Sequence, residues 1–173
     1  MEKIKWGIIG PGNIANNFAD GLKGSYSGQL VSIASKSEDR RKNFGDKYDI
    51  HPDFRFDSYE DIINSEHIDA IYISTPHTLH AQWTIKAAGK GKHILCEKPG
   101  AINFNEGKKI IDAVREAGVF YMEGFMYRCH PQIPKLVDII KNKIIGDVIS
   151  VETSFGFDMG KTISDHRLFN KNL

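Results

Sequence analysis

The stretch IKWGIIGPGNIA, residues 4–15, decides the fold. Ile4 to Ile9 is a short apolar run that predicts a strand, and Gly10-Pro11-Gly12 closes it. Beyond the turn, Ile14, Phe18 and Leu22 recur at the spacing of a helix, with Ala15 and Ala19 beside them. GPGNIA, residues 10–15, therefore has the form G-x-G-x-x-A between a strand and a helix. Gly10 allows the tight turn, Gly12 lets backbone approach a pyrophosphate, and Ala15 permits close helix–sheet packing. The free N–H groups of the helix start, at Asn13 and Ile14, face the anion. A glycine turn that merely connects strand to helix has the same spelling, so the surrounding pattern has to choose.

Working outward, Gln29 to Ser35 reads as a second strand, and Ser37 caps the next helix with Glu38 and Asp39 in its first turn. Residues 48–57 are irregular, with room for a short strand. Ser58 with Asp61 resembles a capping box opening a brief helix through Ile63. Asp69 to Ser74 is a strand that stops at Thr75-Pro76, and a helix from about Thr78 ends at Gly89. Lys92 to Cys96 is the next strand. Asn103 and Glu106 cap a helix with Ile110, Ile111, Val114 and Ala117 on one face, and Gly118 terminates it before Val119 to Met122. Strands alternating with helices predict βαβ units and right-handed crossovers, an α/β Rossmann doubly wound parallel sheet. That sheet is complete within residues 1–122. A helix from Pro134 to Lys143 and an alternating strand from Asp147 to Phe157 then open an α+β second domain over 123–173. One helix and one strand cannot bury a core of their own, which predicts a truncated domain whose strand edges are exposed or borrowed by another chain.

The composition narrows the function. Of 173 residues, 40% are hydrophobic and 26% charged, and 23 Lys+Arg against 22 Asp+Glu leave a net charge of +1. That balance carries no footprint for nucleic acid or an anionic membrane. No apolar run approaches a membrane span, and the first ten residues are too soon interrupted for a signal peptide. Two cysteines, Cys96 and Cys129, exclude a disulfide framework and point to a reduced, cytoplasmic setting. His51, His67, His93, His130 and His166 show no metal-ligand spacing, so no metal is expected. Trp6 and Trp83 read as core aromatics.

The end of the second strand selects the dinucleotide. An NAD site places a carboxylate there for the ribose 2′-hydroxyl. This chain instead has Ala34-Ser35-Lys36-Ser37, with Arg40 and Arg41 one turn on. Ser35, Lys36 and Arg40 suit a 2′-phosphate held by charge-assisted hydrogen bonds, so NADP is expected, with NAD the alternative. As plain helix-start charges, Lys36 and Arg40 would simply be solvated. HILCEKP, residues 93–99, places Glu97, Lys98 and Pro99 at the carboxyl end of a parallel strand, the edge where doubly wound sheets bind ligands. A lysine there, its pKa lowered by partial burial, can exchange a proton beside a nicotinamide. Taken alone, Lys98 reads as a surface loop lysine rather than a catalytic one.

GPGNIA, STPHTLH at 74–80, AGKGKHILCEKP at 88–99 and MEGFMYRCHP at 122–131 together resemble the glucose–fructose oxidoreductase, inositol dehydrogenase and rhizopine-catabolism (Gfo/Idh/MocA) oxidoreductases. The resemblance spans residues 4 to about 157 and is strongest to the sugar-dehydrogenase and dihydrodiol-dehydrogenase-like branch. It implies that Lys98 is the catalytic lysine, hydrogen-bonded to the reacting hydroxyl or carbonyl during hydride transfer. It implies that Glu97 holds the nicotinamide ribose and that Thr75 and Pro76 line the dinucleotide. His77 stands where the family usually has Asn. His80 matches the family's histidine in the next helix and also reads as a capping or packing residue. Glu123 and Arg128 match positions lining the cofactor–substrate cleft, and Arg128 reads equally as a structural ion-pair partner.

Members of the family are much longer than this chain. Their second domain carries substrate contacts and a His or Tyr in the helix G-G-x-x-x-D-x-G-x-[HY], which residues 161–173 precede without reaching. Asp165 and His166 do not match that catalytic position. The resemblance thus implies an NADP-dependent oxidoreductase acting on a sugar, polyol or diol, homo-oligomeric at full length, of which this chain is an N-terminal part with incomplete activity. The contrasting expectation is a nucleotide-binding module without turnover, or one completed by a partner.

Overall fold

The computed structural model describes residues 2–156. Its strands are β1 (Ile4–Ile9), β2 (Gly28–Ala34), β3 (Arg55–Phe56), β4 (Ala70–Ile73), β5 (His93–Cys96) and β6 (Tyr121–Glu123). Its helices are α1 (Asn13–Lys23), α2 (Glu38–Lys47), α3 (Tyr59–Asn64), α4 (His80–Ala88), α5 (Phe104–Ala117) and α6 (Gln132–Lys141). The strands form one sheet in the order β3-β2-β1-β4-β5-β6, and every pairing is parallel. This is the Rossmann order, with the switch point between β1 and β4 where ligands of such sheets bind.

Helices cover both faces, so β4 at the centre is a continuous apolar run with all four residues buried. Successive residues feed opposite cores. Ile9, Ile71 and Ile73 join Ile62, Ile94 and Ile110 on one face, while Ile8 and Tyr72 join Ala15, Ala19, Ile33 and Phe44 on the other. Ala15 and Ala19, both essentially inaccessible, let α1 lie close against the sheet.

The caps are where the sequence places them. Ser37 Oγ accepts from Arg40 N, Ser58 Oγ from Glu60 N and Asp61 N, and Asn103 Oδ1 from Glu106 N. Gly118 ends α5 in the left-handed region at φ 65°.

Four details differ from expectation. Helix α4 begins at His80 because residues 77–79 form a 3-10 turn after Pro76. On α5 the buried residues are Ile110 and Val114, whereas Ile111 is 40% exposed. Ile111 is rotated about 100° from Ile110 and lies on the flank, and Ala117 is exposed at the last turn. Helix α6 begins earlier, at Gln132, since Pro134 in the first turn lacks an N–H that would have no helical partner there. The strand expected over 147–157 does not form over residues 147–156, and Phe157 lies outside the described residues. Alternating side chains make a strand only when another strand pairs with the backbone. Here Ile149 and Val151 are 97% and 75% exposed.

The sheet runs one residue past the expected boundary, to Glu123, and the chain divides into two compact units between Gly124 and Phe125. In the second unit, α6 buries none of its residues. Residues 161–173, with Asp165 and His166, lie outside the described residues.

Candidate functional site

The register brings the site to one edge. Ala34, Ile9, Ile73, Cys96 and Glu123 stand side by side across five strands. The chain keeps its ladder for one more residue at each crossing. Gly10 N donates to Ala34 O (3.1 Å), Ser74 N to Ile9 O (3.0 Å), Glu97 N to Ile73 O (2.9 Å) and Gly124 N to Cys96 O (2.7 Å). The glycine turn, the Ser74–Pro76 loop and the Glu97–Pro99 loop are therefore fixed neighbours.

Gly10 has φ +92°, and a Cβ there would sit 3.2 Å from the backbone of Ser74 and Thr75. Ser74 Oγ donates to Gly10 O at 2.7 Å, locking the two loops together. At Gly12 the surroundings are open, and a Cβ would meet nothing within 4 Å. Gly12 is also the N-cap of α1, with no side-chain cap and no acid in the first turn. This contrasts with the capped starts of α2, α3 and α5. Asn13 is exposed and Ile14 half-buried at this uncapped end. The cradle and the partial positive charge of the helix start suit an anion.

At the end of β2, Ser35 is buried and its Oγ accepts from Ser37 N at 3.2 Å. Lys36 and Arg40 are exposed. Lys36 Nζ lies 6.0 Å from the centre of the Tyr59 ring, and the positive charge of Arg40 acts on the same phenol. Both cations thus gather beside Tyr59. Arg41 is employed differently, its guanidinium donating to Ser35 O at 2.7 Å and holding the strand end in place.

Thr75 is buried, and its hydroxyl has no hydrogen-bond partner among the described residues. Pro76 is exposed and His77 half-buried. His80 is only 2% exposed, with Nδ1 2.7 Å from Pro99 O and Nε2 2.8 Å from Thr75 O. Both ring nitrogens are thereby engaged, so the histidine ties the two loops together.

Glu97 and Lys98 follow β5 on the same edge, one strand in from the end of the sheet. The Lys98 side chain is 44% exposed and that of Glu97 13%, with Nζ and Oε2 3.6 Å apart. Lys98 therefore meets solvent, short of the burial expected of it. The Lys98–Pro99 peptide is cis. Glu123 Oε1 accepts from Gly100 N at 2.7 Å, so the carboxylate holds the loop that carries Lys98. Arg128 belongs to the second unit, exposed in a 3-10 turn over Met126–Cys129. Among the described residues no group of three or more His, Cys, Asp or Glu could hold a metal ion. Nor is any helix among them long and apolar enough to cross a membrane.

The two cysteines differ sharply. Cys96, wholly buried, has its thiol pushed up to about 12, chiefly by burial, with the Glu123 and Glu97 charges adding to it. Cys129 is exposed. A disulfide reagent at mildly alkaline pH is expected to titrate one thiol rapidly in the native protein, and Cys129→Ser removes that phase. Cys96 reacts only on unfolding, and two rapid native thiols would contradict the packing at the end of β5.

Three contributors have little signal in the sequence. Ser74 is an ordinary strand-end serine within STPHTLH, and spacing alone does not distinguish Arg41 from Arg40. Tyr72 donates its phenol hydrogen to Glu97 Oε1 at 2.7 Å. Its one sequence signal is a polar-tipped aromatic in an otherwise apolar central strand.

A parallel sheet in this order, with an open glycine cradle and a lysine–carboxylate pair on its carboxyl edge, defines a dinucleotide-binding Rossmann domain. Comparison with known proteins gives the family. The model of the Gfo/Idh/MocA oxidoreductase family, NAD-binding Rossmann fold, matches residues 4–125, and the chain belongs to it. It is 33% identical over 159 residues to trans-1,2-dihydrobenzene-1,2-diol dehydrogenase of Xenopus tropicalis, covering 91% of this chain and 48% of that protein. It is 32% identical over 165 residues to D-xylose 1-dehydrogenase (NADP(+)) 2 of Haloferax volcanii, covering 95% and 50%. A solved structure of a 3-ketoreductase from Actinomadura kijaniata, in complex with TDP-benzene and NADP, superposes with a TM-score of 0.75 at 32% identity. That superposition covers 84% of this chain and 45% of the reductase. The chain spans about half the length of the curated relatives it matches.

Proposed function

We propose that this chain binds NADP along the carboxyl edge of its sheet and presents Lys98 for hydride transfer between the nicotinamide and a hydroxyl or carbonyl carbon of a sugar, polyol or diol. The observation that carries the reading is the open, uncapped cradle at Gly12 on the same edge as Lys98 and Glu97. The residues fit the cofactor in chemistry as well as in shape. Residues 34–37 include no carboxylate to repel a 2′-phosphate, and Lys36 and Arg40 are exposed beside them. The similar xylose dehydrogenase is an NADP(+) enzyme, the ketoreductase structure holds NADP, and the similar dehydrogenases act on a diol and a sugar.

In this reading Asn13, Ile14 and Gly12 meet the pyrophosphate, while Ser35, Lys36 and Arg40 meet the 2′-phosphate. Thr75, Pro76 and His77 line the dinucleotide, His80 sets their loop, and Glu97 holds the nicotinamide ribose. The bound nicotinamide supplies the hydride acceptor or donor. Lys98 Nζ hydrogen-bonds the reacting oxygen, taking its proton as the carbonyl forms in the oxidative direction and returning it in the reductive one. Residues 1–124 serve as the dinucleotide-binding domain, and residues from 125 on open a substrate domain. The division of the chain next to Gly124 supports this.

Fluorescence titration with NADPH and NADH tests the cofactor. Lys36→Ala and Arg40→Ala are each expected to weaken NADPH about 10-fold or more, as loss of a hydrogen bond to a charged group does, and to leave NADH nearly unchanged. Equal affinities for the two, untouched by either substitution, would falsify the 2′-phosphate assignment. Absorbance screening of sugars, polyols and diols for nicotinamide turnover tests the reaction itself.

A further inference from the structure

Tyr72 lies in the middle of the sheet, 2% exposed, below the site rather than in it. Its ring is stacked on Phe18 of α1, with centroids 4.1 Å apart and planes at 26°. Trp6 meets the far side of that pair, edge-on to Phe18 at 5.2 Å. The ring is thus held by packing, and its hydroxyl has a fixed direction. Along that direction it meets Glu97 Oε1 at 2.7 Å, a distance expected of a hydroxyl donating to a carboxylate. The other carboxylate oxygen, Oε2, faces Lys98 Nζ at 3.6 Å.

We propose that Tyr72 is a positioning residue of this site: its phenol O–H pins Glu97 Oε1 and so aims the carboxylate at the ribose hydroxyls and at Lys98. The proposal rests on the assignment of Glu97 to the nicotinamide ribose. Glu97 follows the end of β5, beyond its last paired residue, so the strand alone does not dictate where its carboxylate points. A half-free carboxylate would rotate between Lys98 and solvent, and ordering it on binding costs side-chain entropy. The phenol removes that freedom in advance. Burial, followed by the hydrogen bond and charge of Glu97, pushes ionisation of the phenol far above its ordinary range. The group therefore stays a donor. The chain of contacts also joins two parts of one ligand site, because Phe18 belongs to the helix whose N-terminus forms the glycine cradle.

The conservative variant Tyr72→Phe keeps the ring on Phe18 and deletes only the hydroxyl. NADPH affinity is measured by fluorescence for wild type, Tyr72→Phe, Glu97→Ala and the double variant, with adenosine 2′,5′-bisphosphate as a probe of the adenine half. NADPH binding is expected to fall about 10-fold in Tyr72→Phe, at the scale of one charge-assisted hydrogen bond. It falls at least as far in Glu97→Ala, and the double variant is no weaker than Glu97→Ala alone. Binding of the bisphosphate stays at the wild-type level, which a general loss of structure would not allow. An unchanged NADPH affinity in Tyr72→Phe, with Glu97→Ala weakened, overturns the positioning role and leaves the ribose assignment standing. Additive losses, or an equal loss for the bisphosphate, overturn it too, marking Tyr72 as structural. No effect of Glu97→Ala overturns both.

Discussion

Gly12→Ala is expected to leave the stability of the chain nearly unchanged while weakening NADPH binding about 10- to 100-fold. Gly12 has φ −95° and ψ −173°, extended backbone that alanine adopts freely, and its Cβ would meet nothing within 4 Å. Alanine is a poorer N-cap than glycine, but it also lowers the entropy of the unfolded chain, and these terms of about 0.5–1 kcal/mol oppose each other. The methyl group instead fills the cradle and holds a phosphate away from the N–H groups of α1. Losing one charge-assisted hydrogen bond of about 1.5–3 kcal/mol gives roughly the stated range. Gly10→Ala is the contrasting control. It forces φ +92° on a residue with a Cβ, 3.2 Å from the Ser74–Thr75 backbone, and is expected to destabilise by roughly 1–3 kcal/mol. Thermal melts and NADPH titrations of both variants separate the two roles. If Gly12→Ala binds NADPH like wild type, the cradle is only a connection between β1 and α1.

Lys98→Ala is expected to lower kcat/KM for hydride transfer by roughly 10²–10⁴-fold, the contribution of a positioned acid–base group. NADPH affinity should move by no more than a few-fold, because Glu97 and the glycine cradle are left in place. The side chain is 44% exposed and its ion pair with Glu97, at 3.6 Å, is weak, so folding is expected to survive the change. The measurements are steady-state rates on whichever sugar, polyol or diol the screen identifies, alongside the melting temperature. A variant that keeps wild-type turnover sinks the catalytic assignment. Turnover absent from a full-length version with Lys98 intact, while NADPH still binds, favours the nucleotide-binding module.

Much of this was legible before any coordinates. The glycine turn, the three side-chain caps at Ser37, Ser58 and Asn103, and the terminating Gly118 are local signals, each set by the chemistry of a few adjacent residues. The alternation of strand and helix periods then leaves little choice of topology, because right-handed crossovers admit few sheets. The 147–157 segment shows where such reading stops. Its alternation is genuine, yet residues 147–156 form no strand, since a strand needs a partner. Ile111 shows the same on a smaller scale, as a helical period does not say how wide the buried stripe is.

The sequence by itself determined the parallel α/β class, the position of the dinucleotide turn, and the placement of Lys98 at a strand end. All of these follow from short-range spacing and the handedness of the chain. Only the tertiary structure decided which side chains serve each loop. It placed Tyr72 under Glu97 across 25 residues, Glu123 on Gly100 across 23, and His80 on Pro99 across 19. It also separated Arg41, spent on Ser35, from Arg40 beside Tyr59. Sheet register makes these pairings, and register is a property of several strands at once that no single stretch of residues encodes.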